Sequence, residues 1–183
     1  MESQQNTMTS ETSNMEEFNK LSDKWTLWAH LPHNTDWSIK SYIPISTFTT
    51  AEETIAVTET LPPILVENCM LFMMREGIKP TWEDPKNRNG GCFSYKVSNK
   101  NVSKVWKELT YVVVGNSVSK QMSYVNCVTG ITISPKKNFC IIKIWMKKKD
   151  CFDNFDTSSN KDPFAIHSIF AIEEQICVFK QHK

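Results

Sequence analysis

Residues 77–91 read Gly-Ile-Lys-Pro-Thr-Trp-Glu-Asp-Pro-Lys-Asn-Arg-Asn-Gly-Gly. Most of them are turn formers, because Gly, Pro, Asn and Asp permit or fix the backbone angles that tight turns require. The segment therefore predicts a loop between two strands, and this loop carries Trp82 and Glu83. Its Asn89-Gly90 pair favours a tight hairpin turn into a strand over residues 92–97.

Short segments with β character surround this loop along the chain. They are rich in aromatic and β-branched residues and are separated by turn residues, which is typical of strands joined by hairpins. Trp37 falls at the edge of the polar turn between the first two of them. Strands are predicted over residues 25–31, 38–45, 68–74, 92–97, 130–134, 139–146 and 176–180.

Helices are predicted at intervals between these strands. A helix over residues 50–60 begins with a capping-box pattern of Thr50 and Glu53. Apolar residues at helical spacing predict another over residues 101–114, and Asp162 followed by proline is typical of the start of a last helix. This arrangement indicates an α+β fold, in which helices cover one face of an antiparallel sheet.

Length and charge limit the classes of function. The chain has 183 residues, with 21 Lys and Arg against 20 Asp and Glu, which suits about one domain. Such a balance excludes a general nucleic-acid binder, since sequence-independent phosphate binding requires a dense cationic surface. Residues 1–20 are rich in Ser, Thr, Asn, Gln and Glu and predict a disordered tail, followed by one domain over residues 21–183.

The cysteine pattern and the hydropathy of the sequence indicate the cellular compartment of the protein. The six cysteines are scattered without a Cys-x-x-Cys pair, which predicts reduced thiols in a cytoplasmic or nuclear protein. No apolar run is long enough for a membrane helix, so we expect no membrane partner. We also expect a monomer.

Motifs for the common catalytic chemistries are missing. The sequence contains no Gly-x-Gly-x-x-Gly, no phosphate-binding P-loop, no His-Glu-x-x-His and no Gly-x-Ser-x-Gly. His30 and His33 have a spacing that can bind metal, but a plain surface turn explains them better because no third ligand stands nearby. We therefore predict neither an enzyme nor a cofactor or metal site.

Two tryptophans on predicted loops, Trp37 and Trp82, point instead to ligand binding. An indole on a polar loop either packs onto the sheet or stacks on a ligand. Two indole faces attract a flat cation, and the carboxylate of Glu83 accepts paired N–H donors. A quaternised guanine has this chemistry.

The residues from about 21 to 145 resemble the translation initiation factor 4E family, which binds the 7-methylguanosine cap of messenger RNA. The block over residues 77–91 is the most specific part of the resemblance. The resemblance implies a curved antiparallel sheet with about three helices on its convex face and a cap slot on its concave face. Its other motifs are Trp25-x-x-Trp28, Asp36-Trp37, Val105-Trp106-x-Glu108 followed by Gly115, and Ile142-x-Ile144-Trp145.

The resemblance also implies roles in base binding. Trp37 and Trp82 would sandwich the methylated base, and Glu83 would accept the guanine N1–H and N2–H. The backbone N–H of Trp82 would donate to O6, and Trp145 would pack near the N7-methyl group.

Phosphate binding departs from the family pattern. Cys92 and Ile141 stand where the family has basic residues, whereas Lys136 matches a phosphate-binding arginine. Lys137 lies in the same turn, and Lys143 shares the face of Trp145 by the period of two, so either can substitute. The alternative is that these lysines are ordinary solvated charges.

The residues expected to bind a partner protein also differ from the family pattern. The family binds a peptide of a scaffold protein of the factor 4G type, or of a 4E-binding protein, on the convex face through a helical tryptophan. Ile55 stands at that position here, and the second helix offers Lys107, Glu108 and Tyr111 where apolar residues usually flank the glutamate.

Three functions follow as hypotheses. The first is a cap-binding protein that supports translation initiation, and the second is a 4E-like translational repressor or interaction protein with altered cap or scaffold specificity. The third is a cap-modifying enzyme, for which Glu83 could be a general base but lacks a neighbouring acid or base. We favour the first.

Overall fold

The computed structural model of the chain describes residues 18–148, 164, 166 and 177–182. The first 17 residues of the predicted tail and the predicted start of the last helix at Asp162 lie outside these ranges.

Seven strands of the described residues form one curved sheet in which all neighbours are antiparallel. They are β1 (Lys20–His30), β2 (Tyr42–Thr50), β3 (Met70–Arg75), β4 (Gly91–Ser98), β5 (Val128–Pro135), β6 (Phe139–Met146) and β7 (Val178–Gln181). Their order across the sheet is β2-β1-β3-β5-β6-β4-β7. This arrangement confirms the prediction of an antiparallel sheet in an α+β fold.

Three helices pack on the sheet: α1 (Ala51–Thr60), α2 (Pro63–Asn68) and α3 (Asn99–Val114). The capping box predicted for α1 is present, since the Thr50 hydroxyl accepts from the Glu53 N–H at 3.2 Å. Helix α2 was not predicted, because two successive prolines, Pro62 and Pro63, favour the end of a helix. The second proline in fact occupies the first position of α2, where its missing N–H costs nothing. A fourth helix, α4 (Met122–Val125), is a single turn.

The two faces of the sheet bury different clusters. Successive residues of a strand point to opposite faces, so Leu71 and Met73 of β3 enter the main core beneath the helices, whereas Phe72 and Met74 do not. A smaller cluster without helical residues lies on the other side, which we call the open face. This open-face cluster consists of Tyr42, Phe72, Met74, Ile78 and Trp145, with Trp28 and Met70 packed against it.

The connection from β3 to β4 is not the hairpin that Asn89-Gly90 predicts. β3 pairs with β1 and β5, and β4 pairs with β6 and β7. Residues 76–90 therefore cross from one part of the sheet to another. Gly90 allows the backbone of this connection to pass close to β6, because a Cβ at this position would overlap the carbonyl of Met146.

Two strand boundaries also differ from prediction. β1 begins at Lys20, five residues before the predicted start, and β2 begins at Tyr42 after a turn of 3-10 helix over Ile39–Ser41. The Ser41 N–H donates to the Ser38 carbonyl in this turn. This local bond competes with the extended conformation that the apolar pattern suggested.

Arg75, at the end of β3, joins four other parts of the chain. Its Nη1 pairs with Asp23 of β1, and its Nε donates to the Val128 carbonyl of β5 at 2.8 Å. Its Nη2 donates to Asn116 Oδ1 at 3.0 Å and to the Val125 carbonyl at 3.2 Å. Arg75 is thus a clamp between the sheet and the segment that follows α3.

The cysteines follow the prediction only in part. Cys69, Cys92 and Cys140 are buried thiols, whereas Cys127 takes part in a disulfide bond. The expectation of reduced thiols is therefore wrong at Cys127. Sequence spacing excludes local Cys-x-x-Cys pairs, but it does not report which cysteines the fold brings together.

Of the helices in the described residues, none is long and apolar enough to cross a membrane.

Candidate functional site

Two loops present exposed tryptophans. Trp37 lies on the loop between β1 and β2 and is 57% exposed, and Trp82 lies on the loop between β3 and β4 and is 49% exposed. Glu83 is exposed next to Trp82. The loop positions predicted for all three residues are confirmed, and so much exposed indole is typical of a binding surface.

Trp37 is held from beneath by His30. The two rings are stacked with their centroids 4.3 Å apart and their planes 3° from parallel. His30 is 2% exposed, and its Nε2 lies 2.8 Å from the Asp36 carbonyl oxygen, to which it donates. One face of the Trp37 indole is therefore already covered, and the turn that carries it is pinned to β1.

This contact corrects the interpretation of His30 as part of a surface turn. The residue lies at the end of β1, where its ring is enclosed by Trp37 and Tyr42. In the described ranges, no group of three or more His, Cys, Asp and Glu side chains is arranged to hold a metal ion.

The loop of Trp82 and Glu83 is braced by two buried polar side chains. Asp84 accepts from the Lys79 N–H at 3.0 Å and from the Lys86 N–H at 2.8 Å. The Asn87 amide donates to the Lys79 carbonyl at 3.1 Å and to the Thr81 carbonyl at 2.9 Å. This role of Asp84 and Asn87 was not predicted, although Asp and Asn in a turn-rich segment are a recognised signal for such bonds.

Tyr42 lies in the open-face cluster next to His30. Its ring lies 5.1 Å from that of His30, beneath Trp37, and 5.3 Å from that of Phe72. Burial raises the pKa of the Tyr42 hydroxyl, and the negative charge of Glu83 raises it further. The charge of Glu83 therefore acts on the hydroxyl of Tyr42, a residue of the open-face cluster.

Trp145 lies within this cluster and is 7% exposed. Its Nε1 donates to Thr132 Oγ1 at 2.7 Å, and its ring lies 5.0 Å from that of His182. His182 Nδ1 donates in turn to the Asn87 carbonyl at 2.8 Å. Residue 182, just after β7, thus connects Trp145 to the loop of Trp82, a contact that the sequence did not predict.

The environment of His182 lowers the pKa of its imidazole. Burial lowers the pKa of the imidazole, and the positive charge of Lys143 lowers it further, against the opposing hydrogen bond to Asn87. At neutral pH it therefore presents a predominantly neutral ring to Trp145.

The predicted phosphate-binding lysines lie in two places. Lys136 and Lys137 occupy the turn between β5 and β6 and border, together with Trp37 and His30, a cavity of about 600 Å³. Lys143 lies on β6, two residues before Trp145 and on the same face of the strand. The structure therefore brings two of them beside Trp37 and one beside Trp145.

The helix-covered side carries the predicted partner residues. Ile55 on α1 is 49% exposed. Glu59 on α1 accepts from Lys107 Nζ at 3.1 Å and from the Tyr111 hydroxyl at 2.9 Å, whereas Glu108 pairs with Lys104 at 3.9 Å.

The Glu59 contacts are charge-assisted. Burial, followed by the hydrogen bond to Glu59, raises the pKa of Tyr111 to about 12, so its hydroxyl remains a donor at neutral pH. The hydrogen bond from Lys107 is the main reason that the pKa of Glu59 is lowered. A polar network thus ties α1 to α3 beside Ile55.

A sequence profile named Eukaryotic initiation factor 4E matches residues 20–183. The chain belongs to the eukaryotic initiation factor 4E family. This match covers all the loops and strands described above and confirms the resemblance seen in the sequence.

Individual 4E relatives are moderately similar. The chain is 32% identical to the eukaryotic translation initiation factor 4E of Eremothecium gossypii over 134 residues, which is 69% of the chain and 62% of that relative. It is 26% identical to the Saccharomyces cerevisiae factor over 151 residues, which is 79% of the chain and 69% of that relative. The chain thus matches somewhat under two thirds of the first relative's length.

Solved 4E structures share the fold. A Schistosome eIF4E complexed with m7GpppA and 4E-BP is 25% identical, with a TM-score of 0.74 over 90% of this chain and 88% of that one. Caenorhabditis elegans eIF4E-3, in a complex with the 4E-binding protein Mextli and a cap analog, gives a TM-score of 0.76 at 19% identity, over 91% and 94% of the two chains.

Proposed function

We propose that the protein binds the 7-methylguanosine 5′ cap of messenger RNA and acts in translation initiation. The observation that carries this proposal is the pair of exposed loop tryptophans, Trp37 and Trp82, with the exposed carboxylate of Glu83 next to the second. Relatives of the 4E family that were solved with m7GpppA or a cap analog support it. We place the activity in residues 21–183.

The base is bound by stacking between the two indoles. Methylation at N7 gives the purine a positive charge, and a cation is attracted to the electron-rich face of an indole. The free face of Trp37 supplies one wall and Trp82 supplies the other. Trp145, which is anchored by Thr132, packs near the methyl group.

Glu83 gives specificity for guanine. Its carboxylate accepts the N1–H and N2–H of the base, a paired arrangement that adenine cannot offer. The braces at Asp84 and Asn87 hold the loop, so the carboxylate is positioned before the ligand arrives. The backbone N–H of Trp82 donates to O6.

This chemistry is recognition and not catalysis. Stacking and hydrogen bonding require no nucleophile and no proton transfer. We therefore propose a binding protein that is not an enzyme and that presents capped messenger RNA to other factors. The lysines at 136 and 137, which border the same cavity as Trp37, supply positive charge for the phosphates.

The test is a fluorescence titration of the wild type and of Glu83→Gln with 7-methyl-GTP and with GTP. We expect the wild type to prefer the methylated ligand. The substitution should weaken 7-methyl-GTP binding by about 10- to 100-fold, because a hydrogen bond to a charged group contributes about 1.5–3 kcal/mol.

Glu76→Gln is the matched control, since the side chain of Glu76 forms an exposed pair with Lys24 at 3.7 Å. Its affinity should equal that of the wild type. Equal binding of the two nucleotides by the wild type, or an unchanged affinity in Glu83→Gln, would contradict the proposed site.

We further propose that the helix-covered side binds a partner peptide, from a scaffold of the factor 4G type or from a 4E-binding protein. Structural relatives solved with 4E-BP or Mextli support this proposal. The exposed side chain of Ile55 supplies the apolar contact, and the polar network of Glu59, Lys107 and Tyr111 changes the chemistry around it.

Titration with a 4E-binding-protein peptide tests this surface and distinguishes the initiation function from the repressor function. Ile55→Asp should weaken peptide binding by about tenfold or more, because it places a charge in an apolar contact, and should leave 7-methyl-GTP binding unchanged. Ile64→Asp, at another exposed apolar position, is the control. If the wild type bound the cap but no such peptide, the repressor function would replace the initiation function.

A further inference from the structure

β4 lies between β6 and β7 in the sheet, so residues of all three strands are neighbours on the open face. In the register of these strands, Cys92 of β4 is opposite Trp145 of β6 on one side and Lys180 of β7 on the other. Residues that are directly opposite in antiparallel strands point to the same face, with Cβ atoms about 4.5–5.5 Å apart. Trp145, Cys92 and Lys180 therefore form a row across the open face.

Lys143 lies in the next row. It is opposite Ser94 of β4, two residues from Cys92, and two residues from Trp145 along β6. It is thus a diagonal neighbour of Cys92, within reach of a long side chain. The two lysines approach Cys92 from β6 and from β7.

The charges around Cys92 agree with this geometry. Burial raises the pKa of the Cys92 thiol, whereas the positive charges of Lys143 and Lys180 act in the opposite direction. Both positive charges therefore act on Cys92, in agreement with the register of the three strands. Cys92 is 5% exposed and is neutral, so it does not compensate either charge.

Among the described residues, no carboxylate pairs with either lysine. Within the residues that the structure describes, neither Lys143 nor Lys180 forms an ion pair, and the sequences of β4, β6 and β7 contain no Asp or Glu. Two cations that share one neutral neighbour attract an anion. The anion expected next to Trp145 is the phosphate chain of the bound nucleotide.

We propose that Lys143 and Lys180 bind the phosphates of the capped end, with Lys180 contributing from β7, and that they replace the basic side chain absent at Cys92. This inference rests on the proposed cap-binding function and adds Lys180 to the site. Each ammonium is a compact charge without the paired donors of arginine, so the contact is predominantly electrostatic. Affinity therefore rises with the number of phosphates and falls with salt.

The experiment measures the affinity of four ligands at fixed ionic strength: guanosine, 7-methylguanosine, 7-methyl-GMP and 7-methyl-GTP. The proteins are the wild type, Lys143→Ala, Lys180→Ala and Lys104→Ala. Lys104 is the matched control, because it lies on α3 and pairs with Glu108. Each of the two site variants should lose about five- to tenfold in 7-methyl-GTP affinity, less for 7-methyl-GMP and nothing for the nucleoside.

The nucleoside separates failure of the inference from failure of the function. If the wild type did not bind 7-methylguanosine in preference to guanosine, the base site itself would be wrong. If it did, and both lysine variants bound 7-methyl-GTP as tightly as Lys104→Ala, this inference would be overturned and the function would stand. Lys180→Arg keeps the charge, and its recovery of affinity would show that the loss in Lys180→Ala does not come from misfolding.

Discussion

Trp82→Ala is expected to weaken 7-methyl-GTP binding by about 30-fold or more and to leave the unfolding temperature close to that of the wild type. A desolvated cation–π contact contributes about 2 kcal/mol, and each 1.4 kcal/mol is a factor of about ten in affinity. Stability should not change, because half of the side chain is exposed and the loop is held by Asp84 and Asn87 instead. Titration calorimetry and a thermal melt measure the two quantities.

Trp37→Ala should give a loss of similar size in the same titration. Trp82→Phe is the graded variant, and it should retain part of the affinity because phenylalanine attracts cations less than tryptophan does. Ile64→Ala, at an exposed apolar residue on α2, is the control. If the alanine variants lost the same factor in affinity for GTP as for 7-methyl-GTP, the indoles would not be responsible for the preference for the positively charged, methylated base.

Arg75→Met should lower the free energy of unfolding by about 2–3 kcal/mol, because removing one member of a partly buried charged network leaves its partners unpaired. The Val128 carbonyl, the Val125 carbonyl and the Asn116 side chain would each lose a donor. In a chain of this size, the unfolding temperature should fall by about 4–12 °C. The affinity for 7-methyl-GTP at low temperature should be unchanged, since Arg75 lies outside the site.

Lys24→Met is the matched control for this experiment. Lys24 precedes Trp25 in β1 and forms an ion pair with Glu76 at 3.7 Å, but both side chains are more than half exposed. Exposed pairs contribute about 0–1 kcal/mol, so its thermal melt should nearly match the wild type. A similar melt for Arg75→Met would show that the clamp is not structural.

Elements that depend on neighbours in the sequence could be predicted. The capping box of α1, the apolar stripe of α3 and the turn formers of residues 77–91 are local patterns, and each of them lies where it was expected. The course of the β3–β4 connection could not be predicted, because turn residues fix the shape of a loop but not which strands pair on either side of it.

The residues of the candidate site also fall into two groups, those that the local sequence predicts and those that depend on distant contacts. Trp82 and Glu83 could be found from their loop and their chemistry. His30, Tyr42, His182 and Lys180 were missed, because their roles depend on register and on rings that meet across the open face. The partners of Arg75 are 41–53 residues away in the sequence, and a single sequence contains no signal for such contacts.

The His30–Trp37 stack makes the two walls of the slot unequal before any ligand arrives. Trp37 is already ordered by its neighbour, whereas the described residues offer Trp82 no comparable ring contact. Fixing a mobile side chain costs about 0.5–1.5 kcal/mol on binding, and this cost falls mainly on Trp82. The association rate should therefore reflect encounter with the fixed Trp37, and the residence time of the ligand should be set by how long Trp82 stays closed over it.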